Sequence, residues 1–258
     1  MKRIILIISL LTIKTMGYSQ SNFNNMDNYL KETRILNYSD TTIQNLVNSR
    51  KWNALDTVSK VKAIYNYVRD EIKFGYNLSD DITATEVLKD GYGQCNTKAT
   101  LLMALLRATG IPNRIHGFTI DKALQKGAIT GIWYRLSPKN ILHSWVEIYV
   151  NNEWHFLEGV ILDKEYLTKL QEQNKDCKTT FCGYGAYTDN FENPPIEWNL
   201  NNTFIQDKGI NQDFGLFDTP DEFYAKHQQK LNTIERFVFK NIVRHKMNRN
   251  VERIRNGR

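Results

Sequence analysis

The sequence predicts an α+β fold in which one buried helix packs on an antiparallel sheet. Residues 95–109 form the helix: apolar side chains cover every side, and Lys98 is the only charge until the last turn, so it should be buried. The sheet is indicated by residues 143–150, which alternate as a strand does. Asn151 and Asn152 follow and suit a two-residue hairpin turn. A helix and a hairpin of this kind are the two layers of an α+β domain.

Other elements follow from the same kinds of pattern. Asp56 begins an amphipathic helix over residues 57–71, whose apolar side chains recur at helical spacing. Thr83 and Glu86 fit a capping box at the start of a short helix. The remaining predictions are a strand over 115–120, a long connector over 121–140 that is a candidate loop over the site, a helix over 163–173, an irregular wrapping segment over 188–221, and a long helix from Asp221 that packs an apolar stripe between Phe223 and Ile242 on the body.

Composition and charge bound the domain organisation. The 258 residues, of which 41% are hydrophobic, suit one globular domain of about 200 residues with extensions. Residues 226–258 hold ten Lys or Arg and two Asp or Glu, a charge of +8, which leaves −2 for the rest of a chain whose net charge is +6. Nucleic-acid binding by the body is therefore not supported. The predicted segments are a signal peptide at 1–19, an N-terminal extension at 20–55, a core at 56–175, a C-terminal wrapping segment and helix packed on the core at 176–245, and a frayed basic tail at 246–258.

The first residues have the pattern of a secretory signal peptide. Lys2 and Arg3 give a charged start, and residues 4–13 form an apolar run that is too short to span a bilayer. Gly17 and Ser19 are small residues at the positions before the expected cleavage site. We expect an exported protein, periplasmic or secreted, with no integral membrane segment once this peptide is removed.

Export changes the interpretation of the three cysteines. Cys177 and Cys182 are separated by four residues and are either bridged or two unrelated thiols. Cys95 is the odd one, as expected of a free reactive thiol. Because it follows the turn at 91–93 and begins the buried helix, unpaired N–H groups and the helix dipole favour the nucleophilic thiolate. A small buried apolar cysteine is the alternative interpretation.

The hairpin register selects two partners for this cysteine. A two-residue turn at 151–152 pairs Val150 with Glu153, which places Glu158 opposite Trp145 and diagonal to position 143. His143 and Glu158 are then within reach of each other. A three-residue turn without a bulge places Glu158 on the other face of the hairpin and breaks this pairing.

The segment from Gly91 to Arg114 resembles the active-site segment of the transglutaminase-like superfamily of cysteine acyl transferases and peptidases. The resemblance extends over roughly Asp56 to Asp163. It rests on a Gly-x-Cys followed by an apolar helix that ends in Leu-Arg-Ala-x-Gly-Ile-Pro-x-Arg, and on a His segment followed by a Trp and an acid; the residues are Gly93, Cys95, Ala99, Leu105, Leu106, Arg107, Ala108, Gly110, Ile111, Pro112, Arg114, His143 and Glu158. It implies a papain-like or transglutaminase-like core. The acid of this family is normally Asp, and Glu158 is longer by one methylene. The triad of Cys95, His143 and Glu158 either works with a shifted backbone or is impaired.

These observations predict acyl transfer on amide bonds through Cys95, His143 and Glu158. Cys95 attacks as thiolate, His143 pairs with the sulfur and protonates the leaving amine, and Glu158 orients the imidazole. The Cys95 N–H is the expected oxyanion donor, with Gln94 or Tyr92 as candidates for a second. The residues do not distinguish water from an amine as the acceptor. The resemblance implies a peptidase or amidase, in preference to a cross-linking transferase, and export makes peptides, proteins or cell-wall peptides the expected substrates.

Two other classes of function compete with this prediction. One is a non-catalytic module on the same fold that binds a peptide or a protein partner. The other is a zinc site at Cys95 and His143, but their spacing fits no compact ligand pattern. We expect no cofactor and no metal, and neither a phosphate-binding glycine loop nor a serine nucleophile elbow occurs in the sequence.

Overall fold

The computed structural model describes residues 26–258, and the predicted signal peptide lies outside this range. Helix α4, Cys95–Ala108, is the centre of the core: every residue but its last is buried, as predicted. It contacts α1 (Thr41–Ser49), α2 (Thr57–Asp70) and α3 (Ala84–Asp90). Two further helices follow in the chain, α5 (Gly131–Leu136) and α6 (Lys164–Gln173). Asp56 caps α2 and Thr83 caps α3, so these two predicted helix starts are confirmed.

The main sheet is antiparallel and has the order β5-β4-β3-β8. Its strands are β3 (Asn113–Asp121), β4 (Asn140–Val150), β5 (Glu153–Leu157) and β8 (Ile210–Phe217); short pairs are formed by β1 (Lys73–Phe74) with β2 (Tyr92–Gly93) and by β6 (Phe181–Gly183) with β7 (Ala186–Thr188). Val150 pairs with Glu153, which confirms the predicted register. Asn151 and Asn152 both have positive φ, 53° and 66°, as the tight turn requires.

The connector between β3 and β4 has secondary structure of its own. A 3-10 turn, Lys122–Gln125, and the short helix α5 lie within it. The segment over 188–221, which was expected to be irregular, contains the edge strand β8. Its alternation is weak because most of its side chains are exposed or half-buried.

The prediction of a long helix that begins at Asp221 was wrong. Helix α7 spans Pro220–Lys226 and is capped by Thr219, whose side chain accepts the Glu222 N–H. The Asp221 carboxylate instead accepts the Ile35 N–H at 3.2 Å. The chain becomes extended at His227, and the next helix, α8 (Thr233–Val238), does not bury the predicted stripe, since Ile234 is 76% exposed.

The expectation of a frayed basic tail was also wrong. After a π turn at Phe239–Val243, helix α9 spans Arg244–Arg255. Met247, Val251 and Ile254 recur at helical spacing and are buried, so a narrow apolar stripe among basic residues docks this helix. The division of the chain into domains stays a prediction.

Two further observations concern the fold as a whole. Cys177 and Cys182 are both free thiols, so the bridged alternative is not formed in this structure. Within residues 26–258, no helix is both long and apolar enough to cross a membrane.

Candidate active site

Cys95 is the first residue of α4, and glycine makes its position possible. Gly91 ends α3 with a φ of +69°, and a Cβ on Gly93 would lie 2.7 Å from the Thr97 hydroxyl oxygen. The Gln94 N–H donates to that hydroxyl at 3.0 Å, which fixes the first turn of α4. The N–H groups of this turn, that of Cys95 included, have no acceptor inside the helix. Cys95 is 9% exposed and lines a cleft, so its sulfur is accessible from one side.

His143 lies in β4, beyond the end of β5, and has no exposed surface. Its Nε2 is 2.8 Å from Oε1 of Glu158. Its Nδ1 is buried and has no hydrogen-bond partner among residues 26–258. The ring nitrogen available to Cys95 is therefore Nδ1. The structure thus brings His143 and Glu158 into contact, as the hairpin register predicted.

Glu158 is held by a part of the chain to which the sequence assigned no role. Its Oε2 accepts the backbone N–H groups of Ile205 and Gln206 at 2.9 and 2.8 Å. Its own N–H donates to the Thr203 carbonyl at 3.0 Å. The carboxylate is fully buried and uses both oxygens. The extra methylene of Glu relative to Asp therefore leaves the contact with His143 intact.

The environment of His143 favours the imidazolium. Burial alone lowers the pKa of this imidazole, but the neighbouring Cys95 thiolate and then Glu158 outweigh that effect and raise the pKa to about 10. A proton on His143 is thus stabilised from two sides at neutral pH. This is the charge state that a thiolate–imidazolium pair needs.

Asn96 connects the two elements that carry Cys95 and His143. Its Nδ2 donates to the Leu142 carbonyl at 3.1 Å, and its Oδ1 accepts the Ser144 hydroxyl at 2.8 Å. These are the residues on either side of His143, and the Asn96 side chain is buried. Sequence reasoning missed this residue; its position beside Cys95 inside an otherwise apolar helix was the available signal.

A cleft of about 510 Å³ opens beside Cys95. Three segments wall it: residues 76–81, the connector between β3 and β4, and the C-terminal segment from 224 to 247. Most of its lining is apolar, including Leu78, Ile129, Trp133, Leu136, Ile141, Leu142, Leu231, Val238, Phe239, Val243 and Met247. The predicted loop over the site is therefore one wall of a cleft whose opposite wall is C-terminal.

Neither residue suggested as a second oxyanion donor is well placed. The Gln94 amide lines the cleft, but its Nε2 donates to Asp80 at 3.0 Å and its Oε1 accepts the Asn77 N–H at 2.8 Å. The Tyr92 hydroxyl accepts from Arg244 at 3.3 Å, and Tyr92 does not line the cleft. Asp80 lies at the same end of the cleft, where burial raises the pKa of its carboxyl.

His116 lies outside this arrangement and has partners of its own. It lies between Glu147 and Asp213, with both ring nitrogens 2.9 Å from a carboxylate oxygen. In the part of the chain that the structure describes, no group of three or more His, Cys, Asp or Glu side chains is arranged to hold a metal ion.

Comparison with known proteins finds one family model that matches part of the chain. The family model described as the transglutaminase-like superfamily matches residues 44–158. This range begins before the resemblance noted in the sequence, includes Cys95 and His143, and ends at Glu158. No curated protein matches the chain.

Solved structures with a similar arrangement share little sequence with this chain. A candidate cysteine protease from Cytophaga hutchinsonii is 20% identical over 51% of this chain and 40% of its own, with a TM-score of 0.39. A candidate protease from Parabacteroides distasonis is 18% identical over 51% of this chain and 25% of its own, with a TM-score of 0.31. Red sea bream transglutaminase is 19% identical over 52% and 26%, with a TM-score of 0.29.

This chain therefore matches less than half the length of each of these proteins. The family model, the buried helix behind Cys95 and the antiparallel sheet agree with one another. Residues 44–158 thus match the transglutaminase-like superfamily model and include the buried helix and the hairpin that carry Cys95 and His143.

Proposed function

We propose that the protein is a cysteine peptidase or amidase that transfers acyl groups from amide bonds through Cys95, His143 and Glu158. The observation that carries the proposal is the state of His143. Its ring is fully buried, Glu158 holds Nε2, and Nδ1 has no hydrogen-bond partner within residues 26–258. Among the groups that raise the pKa of this ring, Cys95 has the largest effect. A buried imidazole with one held and one open nitrogen is suited to proton transfer at a neighbouring thiol.

The proposed reaction has two steps. The Cys95 thiolate attacks the amide carbon, and the carbonyl electron pair moves to oxygen. When the intermediate collapses, the C–N bond breaks and the amine leaves with the proton of His143. The resulting thioester is attacked by water, whose proton passes to His143, and the acid product leaves as the thiolate is restored. Glu158 holds the imidazole in one orientation throughout.

Water is the acceptor that we propose for the second step. An amine in its place gives a cross-linking product by the same chemistry, so the two outcomes differ only in what enters the cleft. Hydrolysis of a peptide amide in the presence and absence of a primary amine measures the partition directly.

The substrate class depends on where the protein acts. We propose export, because of the signal-peptide pattern in residues 1–19. Peptides, proteins and cell-wall peptides are then the amides that the enzyme meets. Detection of the mature chain in the periplasmic or extracellular fraction tests this part of the proposal.

The decisive experiment is the pH dependence of alkylation by iodoacetamide, followed by mass spectrometry of each cysteine. Cys182 is an exposed thiol in the same molecule and serves as the internal reference; its pKa is raised by burial and by the nearby Asp121. At pH 6 we expect Cys95 to react faster than Cys182 although it is far less exposed. His143→Ala should remove this advantage, because the thiolate loses its cationic partner.

The same experiment distinguishes the proposed enzyme from the alternative, a non-catalytic binding module. A non-catalytic module needs no activated thiol, so Cys95 would react more slowly than Cys182 at every pH, with no change in His143→Ala. That result would overturn the enzyme proposal and leave the cleft as a binding site for a peptide or a partner protein.

A further inference from the structure

Tyr224 is a buried polar side chain of the cleft that has no hydrogen-bond partner for its hydroxyl among residues 26–258. It belongs to α7, which is pressed onto the sheet: a Cβ on Gly117 of β3 would lie 2.2 Å from the ring of Phe223. Tyr224 is 4% exposed and lines the cleft together with Cys95. It lies outside residues 44–158, so the family match assigns it no role.

The Tyr224 hydroxyl is buried and has no hydrogen-bond partner within residues 26–258. The hydroxyls of Ser144 and Thr100 lie nearby and lower the pKa of this phenol, but neither has the geometry of a hydrogen bond with it. Ser144 donates to the side chain of Asn96 and Thr100 to its carbonyl. An unpaired buried O–H group costs on the order of 1–3 kcal/mol. A ligand in the cleft that accepts this proton removes that cost.

The charges around Tyr224 keep its proton in place. Burial raises the pKa of the phenol well above its usual value, and the neighbouring Asp80 carboxylate and Cys95 thiolate raise it further. Tyr224 is therefore a neutral O–H donor across the working pH range. A neutral donor beside a nucleophilic sulfur favours an acceptor on which negative charge develops during attack.

We propose that Tyr224 is a catalytic residue that donates a hydrogen bond to the oxyanion formed when Cys95 attacks a substrate carbonyl. This inference rests on the proposed function. The C–S bond forms, the carbonyl π electrons become the oxyanion, and the Tyr224 O–H and the Cys95 N–H both donate to that oxygen. Tyr224 keeps its proton throughout, and the C–N bond then breaks with proton transfer from His143.

The test compares two reactions of the same sulfur in Tyr224→Phe. Acylation by p-nitrophenyl acetate forms an oxyanion and releases coloured p-nitrophenolate, whereas alkylation by iodoacetamide is a displacement that forms none. The rate that remains in Cys95→Ala is subtracted from each. Because both reagents consume Cys95 in one sample, the ratio of the two rates does not depend on the folded fraction.

We expect Tyr224→Phe to acylate about 100-fold more slowly, the effect of removing one oxyanion donor, with the iodoacetamide rate unchanged. Tyr166→Phe is the matched control: its hydroxyl is also buried but donates to the Tyr184 carbonyl at 2.8 Å, away from the cleft, so both rates should stay at the wild-type level.

Two results would overturn the inference, and they differ from each other. If the wild type reacts rapidly with both reagents and Tyr224→Phe keeps the wild-type ratio, Tyr224 is a packing residue and the proposed function stands. If the wild-type Cys95 reacts with neither reagent faster than Cys182 does, the proposed function fails and the role of Tyr224 fails with it.

Discussion

Glu158 and Asp163 lie close together in the sequence, and both are buried carboxylates that follow β5. Each binds one cationic side chain and two backbone N–H groups. Glu158 binds His143 at 2.8 Å and the N–H groups of Ile205 and Gln206. Its three partners therefore come from β4 and from the segment that precedes β8.

Asp163 has an equivalent set of partners. It binds Arg255 of α9 at 2.6 Å, the Phe74 N–H at 2.7 Å and the Tyr166 N–H at 2.9 Å. Burial alone raises the pKa of this carboxyl, but Arg255 and the Phe74 N–H outweigh burial and lower it. Asp163 therefore stays ionised in the folded protein.

The two carboxylates differ in the cationic side chain that each of them binds. Arg255 is a permanent charge, so its pair with Asp163 fixes the C-terminal helix to the core. His143 is a titratable ring with Nδ1 still open, so its pair with Glu158 holds a group that can exchange a proton. The same kind of buried carboxylate thus serves attachment in one place and, under the proposed function, chemistry in the other.

The largest effect is expected when the Glu158 pair is made neutral. Glu158→Gln keeps the shape of the side chain but removes the charge that stabilises the imidazolium, so turnover of a peptide amide should fall by roughly 10²–10⁴. Glu153→Gln, at the exposed start of β5, the strand that precedes Glu158, is the matched control. Turnover within tenfold of the wild type would show that Glu158 does not orient His143 for catalysis.

At the Asp163 pair we expect the opposite result, a large loss of stability with little loss of turnover. Arg255→Met leaves a buried carboxylate without its cation, which costs about 3–5 kcal/mol of unfolding free energy, whereas turnover per folded molecule should stay close to that of the wild type. Urea denaturation and active-site titration measure the two quantities. Arg253→Met changes an exposed neighbour on the same helix and should alter neither the free energy of unfolding nor the turnover. A loss of turnover without a loss of stability would contradict the comparison.

Asn96 tests how far the alignment of Cys95 and His143 depends on hydrogen bonds within the core. Asn96→Ala removes both hydrogen bonds to the residues that flank His143, so we expect the free energy of unfolding to fall by about 1–3 kcal/mol. Alkylation of Cys95 at pH 6 should slow, because the sulfur and the imidazole are no longer aligned. Ser144→Ala removes one of the two bonds and should have the smaller effect on both measurements. An unchanged pH profile in Asn96→Ala would mean that packing alone aligns the pair.

The hairpin could be predicted because its signals are local. The apolar surroundings of Cys95, the strand alternation and the Asn151-Asn152 turn all lie within short segments, and one turn length then determines that Glu158 meets His143. The family resemblance added the expected roles of these residues but not the contacts that hold them.

The C-terminal contacts could not be predicted, because they depend on long-range folding. The N–H groups that hold Glu158 are backbone groups of Ile205 and Gln206, which carry no side-chain signature. Strand β8 is an exposed edge strand, and α9 hides its narrow apolar stripe among basic residues, so composition suggested a tail. The helical spacing of Met247, Val251 and Ile254 was the available signal.

The smallest effect is expected at Asp207, which follows the two residues whose N–H groups bind Glu158. Burial and then the charge of Glu158 raise the pKa of the Asp207 carboxyl to about 6, above the usual value of about 3.9. The folded protein therefore binds this proton more tightly than the unfolded chain does. It follows that the wild type loses stability as the pH rises from about 4 to about 6.

Asp207→Asn carries no charge and should escape this loss. Above pH 6 its free energy of unfolding should exceed that of the wild type by about 1–2 kcal/mol, after allowance for the partial exposure of the side chain, and below pH 4 the two should agree. Asp176→Asn, in an exposed loop, should follow the wild type at every pH. Parallel curves for Asp207→Asn and the wild type would contradict this prediction, because they would mean that neither burial nor the charge of Glu158 raises the pKa of Asp207.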